Sequence, residues 1–222
     1  MRLQKVLILA VISGSFIFTA CKCERKGEYA VDNTAATTGA ATANTESTSD
    51  GNTSQLDENG NFIYDTGMPT EITLPGDIKM NVGEFSSENK LFGMLNSADF
   101  TVSEDKTKGW VTLDRVYFET GKSELTAESK NQLNNIVSLL KAFPEAEIKI
   151  GGYTDNTGSA ETNLAVSAER AQKIADMMTT DGINASRIEN KGYGANHFVC
   201  EANDTDECRA QNRRVDIRIT KK

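Results

Sequence analysis

Two side chains of opposite charge stand fifteen residues apart in the C-terminal half of the chain. Asp155 lies in the stretch GGYTDNTG, whose glycines are typical of a turn. Arg170 lies on the next segment, whose apolar spacing predicts a helix. A carboxylate and a guanidinium held in this way either form a structural ion pair or face a ligand with complementary charges. The residue types alone leave both interpretations open.

A further cation, Arg213, stands at the start of the last predicted strand. Strand side chains alternate between the two faces of a sheet, so Arg213 should share the core-facing side with Val215. Arg214 should then face solvent together with Asp216 and Arg218. A cation on the core side is costly unless it has a partner or borders a pocket. Arg213 is therefore a candidate binding residue, and the alternative is that it reaches water along a helix.

The elements that position these residues follow from alternating and helical apolar patterns. Strands are predicted at 110–118, 146–154, 187–194 and 212–220. Two helices are predicted between them, and this order indicates an α+β fold of the βαβαββ type. In this fold the helices pack on one face of a mixed four-stranded sheet.

The helix ends and buried faces are also predicted. The first helix should begin after an N-cap at Thr126 and end before Pro144. The second should end at Asp181, with Gly182 as its capping glycine. The residues at core spacing are Leu133, Ile136, Val137 and Leu140 in the first helix, and Leu164, Ala168, Ala171, Ile174, Ala175 and Met178 in the second.

The chain before this domain has the composition of an exported, extended segment. Residues 1–20 place two basic residues before a short apolar run, which is typical of a secretory signal. Residues 21–60 are rich in Thr, Ala, Asn and Ser and should form a disordered tether. Residues 61–105 predict a hairpin or small flap, and residues 106–222 form the predicted domain. The formal net charge of −8 argues against a nucleic-acid partner.

The end of the apolar run, Phe18-Thr19-Ala20-Cys21, resembles the lipobox of bacterial lipoproteins. This resemblance implies that Cys21 becomes the mature N-terminus and carries acyl chains. The alternative is plain secretion with incidental cysteines.

Cys200 and Cys208 bracket the loop CEANDTDEC in a compartment that the signal peptide makes oxidising. A disulfide is the natural interpretation. A metal site is the weaker alternative, because two cysteines and the neighbouring His197 lack a fourth ligand. We expect neither a metal nor a cofactor.

Several motifs from Trp110 to Lys222 together resemble the OmpA-like peptidoglycan-binding domain found in OmpA, Pal and MotB. The matching pieces are FETG (118–121), TDNTG (154–158), Asn163, SAERA (167–171), GYG (192–194) and AQNRRVDIRI (210–219). The combination of lipobox, polar tether and this domain resembles the Pal-type lipoproteins of Gram-negative outer membranes.

The resemblance implies a ligand and a role for each matching residue. The family ligand is the diaminopimelate side chain of the peptidoglycan stem peptide, which carries an ammonium and a carboxylate on one residue. Asp155 would accept the ammonium, and the planar guanidinium of Arg170 would clamp the carboxylate. The other contacts implied by position are Asn163, Arg213, Thr120 and Gly121.

Three classes of function follow. The leading hypothesis is a non-catalytic, lipid-anchored outer-membrane protein whose C-terminal domain binds peptidoglycan in the periplasm. The second is a wall-anchored component of a larger envelope complex, such as a secretion or motility apparatus, in which residues 61–100 dock a protein partner. The third is a wall-cleaving enzyme with Asp155 and Glu161 as paired carboxylates. No Ser/His/Asp set or zinc cluster supports this third hypothesis, so we expect no catalytic residues.

Overall fold

A β-hairpin is the first regular element of the structure, a computed structural model that describes residues 55–118 and 125–222. Strand β1 (Pro69–Leu74) pairs antiparallel with β2 (Ile78–Gly83). Helix α1 (Ser87–Asn96) follows, with the side chain of Ser86 accepting a hydrogen bond at its N-terminus. The sequence pattern predicted a hairpin or flap in this region but not the helix.

A second, four-stranded sheet forms the centre of the C-terminal part. Its strands are β3 (Trp110–Thr112), β4 (Glu147–Gly152), β5 (Ile188–Gly192) and β6 (Val215–Lys221). They lie in the order β3-β6-β4-β5. Only the β4/β5 pair is parallel, because the chain returns to the sheet through a long crossover helix. The predicted mixed four-stranded sheet is confirmed.

Two long helices pack on this sheet, α2 (Ala127–Ala142) and α3 (Ala160–Thr180). Thr126 caps α2 as predicted, and α2 ends before Pro144. Gly182 follows α3 with a φ of +98°, and the next amide bonds back into the last turn, which is the expected capping geometry. A 3₁₀ turn (Ala185–Arg187) precedes β5, and a short helix that the sequence pattern did not reveal, α4 (Asp206–Asn212), precedes β6.

Strand β3 is shorter than the predicted strand at 110–118, because Asp114 leaves the sheet to meet helix α1. The Asp114 carboxylate accepts hydrogen bonds from the backbone N–H of Ser87 and from the side chain of Gln132, both at 2.6 Å. The neighbouring Arg115 forms an ion pair with the fully buried Glu88 at 2.5 Å. These charge-assisted bonds join α1 to the chain that follows β3.

The outer face of β6 is buried, so the prediction that Arg214, Asp216 and Arg218 face solvent is wrong. All three are at most 7% exposed. Arg214 forms an ion pair with Asp216 at 3.0 Å, and Arg218 donates to the backbone carbonyls of Ser103 and Lys108. Irregular chain outside the sheet covers this face and supplies partners for its charges, which the alternation rule does not take into account.

The buried face of α3 begins with polar residues. Leu164 and Ala168, predicted as core, are exposed, whereas Asn163 and Ser167 are buried; the prediction for Ala171, Ile174, Ala175 and Met178 is confirmed. The reason is the close approach of α3 to the sheet at two glycines. A Cβ on Gly152 would lie 2.1 Å from the Ser167 carbonyl oxygen, and one on Gly192 would lie 2.4 Å from the Ala168 nitrogen.

We predict that Gly192→Ala lowers the free energy of unfolding by about 1–3 kcal/mol, because α3 must move away from the sheet. Gly93→Ala is the matched control, since Gly93 lies inside α1 with no atom within 4 Å of the added methyl. That change should stabilise the protein by about 0.5–1 kcal/mol. Urea unfolding followed by circular dichroism measures both values. Equal stability of Gly192→Ala and the unsubstituted protein would refute the tight contact.

Candidate functional site

Asp155 lies in the loop between β4 and α3, and its carboxylate is held from two sides. The loop backbone donates hydrogen bonds to residues next to the ends of β5 and β6, which fixes its position. Oδ1 of Asp155 accepts from the backbone N–H of Thr157 at 2.9 Å and from the Thr157 hydroxyl. Oδ2 accepts from Nη1 of Arg213 at 2.9 Å. Asp155 is therefore a fixed, nearly buried carboxylate.

These bonds keep Asp155 ionised. Burial alone would raise the pKa of its carboxyl group, but the hydrogen bonds from Thr157 and Arg213 outweigh burial. The pKa of Asp155 lies below its ordinary value of 3.8 as a result. The group is an anion at any neutral or mildly acidic pH.

Helix α3 carries two more of the predicted contacts, Asn163 and Arg170. Its N-cap, Ser159, accepts from the backbone N–H of Thr162 at 3.1 Å. In the first turn, the Nδ2 group of Asn163 donates to the backbone carbonyl of Asp155 at 3.3 Å. Arg170 follows seven residues later, which is about two helical turns, so it lies on the same side of α3 as Asn163.

Arg170 lies in a partly dry environment. Its guanidinium carbon is 4.9 Å from the centre of the Phe118 ring, a cation–π arrangement. Two effects lower the pKa of Arg170: burial has the larger effect, and the nearby positive charge of Arg213 has the smaller one. Arginine nevertheless remains charged in proteins. Its buried Nε has no hydrogen-bond partner among the described residues. A buried donor of this kind is costly unless a ligand atom satisfies it.

Arg213 precedes the last strand as the C-cap of α4, so the prediction that it lies on the strand is wrong. A disulfide and a buried amide position it. The predicted Cys200–Cys208 disulfide is confirmed, with Cα atoms 5.2 Å apart. The fully buried Asn212 donates to the Cys200 carbonyl at 2.8 Å and accepts from the Val199 N–H at 2.9 Å. These contacts fix α4 and, with it, the residue that pairs with Asp155.

A cavity of about 400 Å³ lies beside this cluster; Arg170, Arg213 and Arg214 are among the residues that line it, whereas Asp155 is not. Arg214 is nearly buried and stacks 3.9 Å from the centre of the Tyr153 ring. Its Nε bonds to Asp216, but its buried Nη1 has no partner in the described part of the chain. The cavity is thus rich in cationic donors, and two of them are unsatisfied.

An additional segment, residues 55–66, forms the other side of the cavity. We call this segment the strap. Its Gly60 carbonyl accepts a hydrogen bond from Nη2 of Arg213 at 3.0 Å. Arg213 therefore lies between Asp155 and the strap.

The comparison with known families identifies this arrangement. Residues 117–213 match the OmpA family. These residues form an OmpA-family domain. All the described site residues from Phe118 to Arg213 lie within it, and the strap lies outside.

Relatives match the OmpA-family domain over roughly half of this chain. "Probable lipoprotein YiaD" of Escherichia coli (strain K12) is 35% identical over 107 residues, which cover 48% of each chain. "Peptidoglycan-associated lipoprotein" of Brucella melitensis is 31% identical over 120 residues, which cover 54% of this chain and 66% of the relative. The matches therefore span less than two thirds of either relative. The crystal structure of the peptidoglycan-associated lipoprotein from Burkholderia pseudomallei matches with a TM-score of 0.45 and 26% identity, over 51% of this chain and 92% of that one.

The OmpA-family domain brings four of the six predicted ligand contacts to one place. Asp155, Asn163, Arg170 and Arg213 are neighbours, but the ion pair of Asp155 is with Arg213. Thr120 and Gly121 lie outside the described residues, as do Cys21 and the tether. Sequence reasoning missed Arg214, Asn212 and Gly60. For Arg214 and Asn212, their place inside the AQNRRVDIRI motif was the available signal, whereas Gly60 lay in a segment assigned to the tether.

Residues 55–118 and 125–222 contain no helix that is long and apolar enough to cross a membrane. The same residues contain no cluster of three His, Cys, Asp or Glu side chains that could hold a metal ion.

We predict that Asp155→Asn lowers the free energy of unfolding by about 1–3 kcal/mol at pH 7, because the ion pair with Arg213 is lost. A carboxyl group whose folded pKa is depressed stabilises the folded state above its unfolded pKa, here 3.8. The difference between the two proteins should shrink as the pH falls through the lower folded pKa. Urea unfolding from pH 7 to about 2.5 measures this dependence.

Asp176→Asn is the control for this prediction. Asp176 is an exposed carboxylate on the same helix, bonded to Gln172 within one turn. Its replacement should change the free energy of unfolding by no more than about 0.5 kcal/mol. A stability difference for Asp155→Asn that is the same at every pH would contradict the role of the ionised group.

Proposed function

We propose that this protein is a non-catalytic, lipid-anchored protein of the outer membrane that binds the diaminopimelate stem peptide of peptidoglycan. It ties the membrane to the cell wall. The observation that carries the proposal is the pairing of a fixed anion, Asp155, with Arg213 at the edge of a cavity that is also lined by Arg170, a cation with an unsatisfied donor among the described residues. A ligand residue that bears both an ammonium and a carboxylate complements these charges.

The Asp155 carboxylate has acceptor capacity left for such an ammonium. An ionised carboxylate offers about four acceptor positions. Thr157 occupies two of them and Arg213 one. One position is left for a donor from the ligand, and the depressed pKa of Asp155 keeps the group charged for it.

The guanidinium of Arg170 is the proposed clamp for the ligand carboxylate. Its buried Nε has no hydrogen-bond partner in residues 55–118 and 125–222, and stacking on Phe118 restricts the plane of the group. A planar fork offers two parallel hydrogen bonds to a carboxylate, which a lysine ammonium does not reproduce. Arg213 contributes positive charge but is already bonded to Asp155 and Gly60.

The names of the relatives support the same ligand class. The Brucella melitensis relative is named a peptidoglycan-associated lipoprotein. A relative from Mycobacterium tuberculosis, 38% identical over 107 residues, is named a peptidoglycan-binding protein. The anchor at Cys21 and the periplasmic location of the domain belong to this proposal as well, on the basis of the signal peptide and lipobox pattern.

The site favours binding over cleavage. A glycan-cleaving pair requires one carboxyl group with a raised pKa that can donate a proton. The pKa of Asp155 is lowered instead, and Glu161 is exposed at the start of α3. Neither group has the environment of a general acid.

We predict that Asp155→Ala and Arg170→Ala each abolish co-sedimentation of the full chain, kept in detergent, with purified diaminopimelate-type sacculi. Truncating one member of a desolvated charged contact costs about 2–5 kcal/mol, or roughly 30-fold to several thousand-fold in affinity. Centrifugation followed by gel densitometry measures the bound fraction. The supernatants should contain no released muropeptides.

Glu71→Ala and Lys79→Ala are the matched controls. These two residues form an exposed ion pair on the hairpin, so each control removes the same charge as one test variant. Both controls should pellet like the unsubstituted protein. If all five proteins pellet equally, Asp155 and Arg170 are structural and the proposal fails.

Sacculi of the lysine type test the chemistry of the clamp. Lysine carries the ammonium but lacks the carboxylate, so these sacculi should retain less of the unsubstituted protein. Arg170→Ala should bind both types equally, since its partner in the ligand is the missing group. A preference for diaminopimelate sacculi that survives Arg170→Ala would assign the carboxylate contact to another residue.

A further inference from the structure

The strap supplies a large share of the cavity wall although it lies outside the residues matched to the OmpA family. The strap residues that line the cavity are Leu56, Asn59, Gly60, Asn61, Phe62 and Tyr64. This part of the pocket is therefore an addition to the domain.

The tip of the strap is an ordered turn. The Asp57 carboxylate accepts from the backbone N–H groups of Asn59 and Asn61 and from the Asn61 side chain, each at 2.8 Å. Gly60 adopts a φ of +76°, which favours glycine and directs its carbonyl to Arg213. A bridge between Leu56 and Phe62 closes the turn. The tip is thus held by its own hydrogen bonds.

The base of the strap is joined to the domain. The hydroxyl of Tyr117 lies 3.0 Å from the carbonyl oxygens of both Phe62 and Asp114, and burial raises the pKa of this tyrosine to about 12, so it remains a donor shared by the strap and the domain. The rings of Phe62 and Tyr64 meet edge to face, 4.8 Å apart. Burial also raises the pKa of Tyr64, which lies near Arg214 and Asp216.

The strap leaves the cavity open beneath it. Neither the Nε of Arg170 nor the Nη1 of Arg214 is satisfied by a strap atom, although both residues line the same cavity as the strap. Arg214 is more than nine-tenths buried, so its free donor has no direct access to bulk water. A segment that acted as an internal substitute for the ligand would be expected to bind these donors. The unsatisfied donors indicate that the strap lines the cavity and does not occupy the place of a ligand inside it.

We propose that the strap is an outer wall of the binding site that contacts the stem peptide and encloses its acceptor groups against Arg170 and Arg214. This inference rests on the proposed function and adds a contact surface to it. Enclosure strengthens the charged contacts by excluding water. Asp57 acts as a positioning residue, because it shapes the turn without lining the cavity.

The test is calorimetric titration of the full chain in detergent with a purified diaminopimelate-containing disaccharide tripeptide. Asp57→Ala, which releases the turn, and Phe62→Ala, which shortens the wall, should each weaken binding about threefold to tenfold. Asp57→Asn should restore most of the affinity, because its amide oxygen can still accept from the two backbone N–H groups. In the unsubstituted protein, the ligand should shift the amide NMR signal of Gly60.

Asp105→Ala is the matched control. Asp105 closes a similar exposed turn by accepting from Thr107, at a position that does not line this cavity. This variant should bind like the unsubstituted protein, and all variants should keep the far-UV circular dichroism of the folded chain.

The outcomes separate this inference from the proposed function. If the unsubstituted protein binds and the strap variants bind equally well, the wall is refuted and the proposed function stands. If the strap variants bind more tightly, the strap competes with the ligand and the inference is again refuted. If the unsubstituted protein does not bind the muropeptide, both proposals fall.

Discussion

The close contact between α3 and the sheet is the constraint on which the site depends. Gly152 and Gly192 let the backbone around Ser167 approach β4 and β5 to a distance that a single methyl group would prevent. The same helix carries Asn163 four residues before Ser167 and Arg170 three residues after it. The position of Arg170 relative to Asp155 thus depends on the absence of a side chain at these two glycines. Packing this tight also limits how far α3 can slide.

The charged groups of the site are connected by consecutive hydrogen bonds. Asp155 binds Arg213, and Arg213 binds the strap through Gly60. Arg213 is in turn placed by α4, which Asn212 and the disulfide attach to the preceding loop. Each buried charge has part of its solvation replaced by such bonds. In the described part of the chain, the two arginine donors that stay unsatisfied, on Arg170 and Arg214, both belong to residues that line the cavity.

The sequence predicted the features that depend on local pattern. The order of the four strands and two long helices along the chain, the caps at Thr126 and Gly182, and the apolar face of α2 follow from propensity and periodicity, and the structure has them. Predictions of burial from periodicity were wrong where the packing depends on segments that are distant in the sequence. Leu164 has core spacing, but the first turns of α3 face the sheet with Asn163 and Ser167. The face of β6 that carries Arg214 was predicted to be exposed, but it is buried because other segments fold over it. Strand alternation cannot predict such a covering.

The candidate site was partly accessible to the same reasoning. Asp155 and Arg170 stood out by charge and spacing, whereas the partner of Asp155 depended on a seven-residue helix that is too short to show periodicity. Residues 55–60 of the strap were assigned to a polar tether because residues such as Asn59 and Gly60 carry no apolar signal, and residues 61–66 were assigned to the predicted flap. The order of the strap comes from a carboxylate that binds three nearby donors and from a tyrosine fifty-five residues away.

The strap also determines how force would enter this domain. The described chain begins at Gln55, and its first contact is the Gln55 carbonyl with the Ile63 N–H at 2.8 Å, next to the Leu56–Phe62 bridge. Tension applied from the N-terminal side acts on these hydrogen bonds one after another and not on all of them at once. The short hairpin of the strap would open under tension before the four-stranded sheet is loaded. Tension from that side would therefore reach the wall of the cavity first, and opening the strap would expose the arginines that line the cavity.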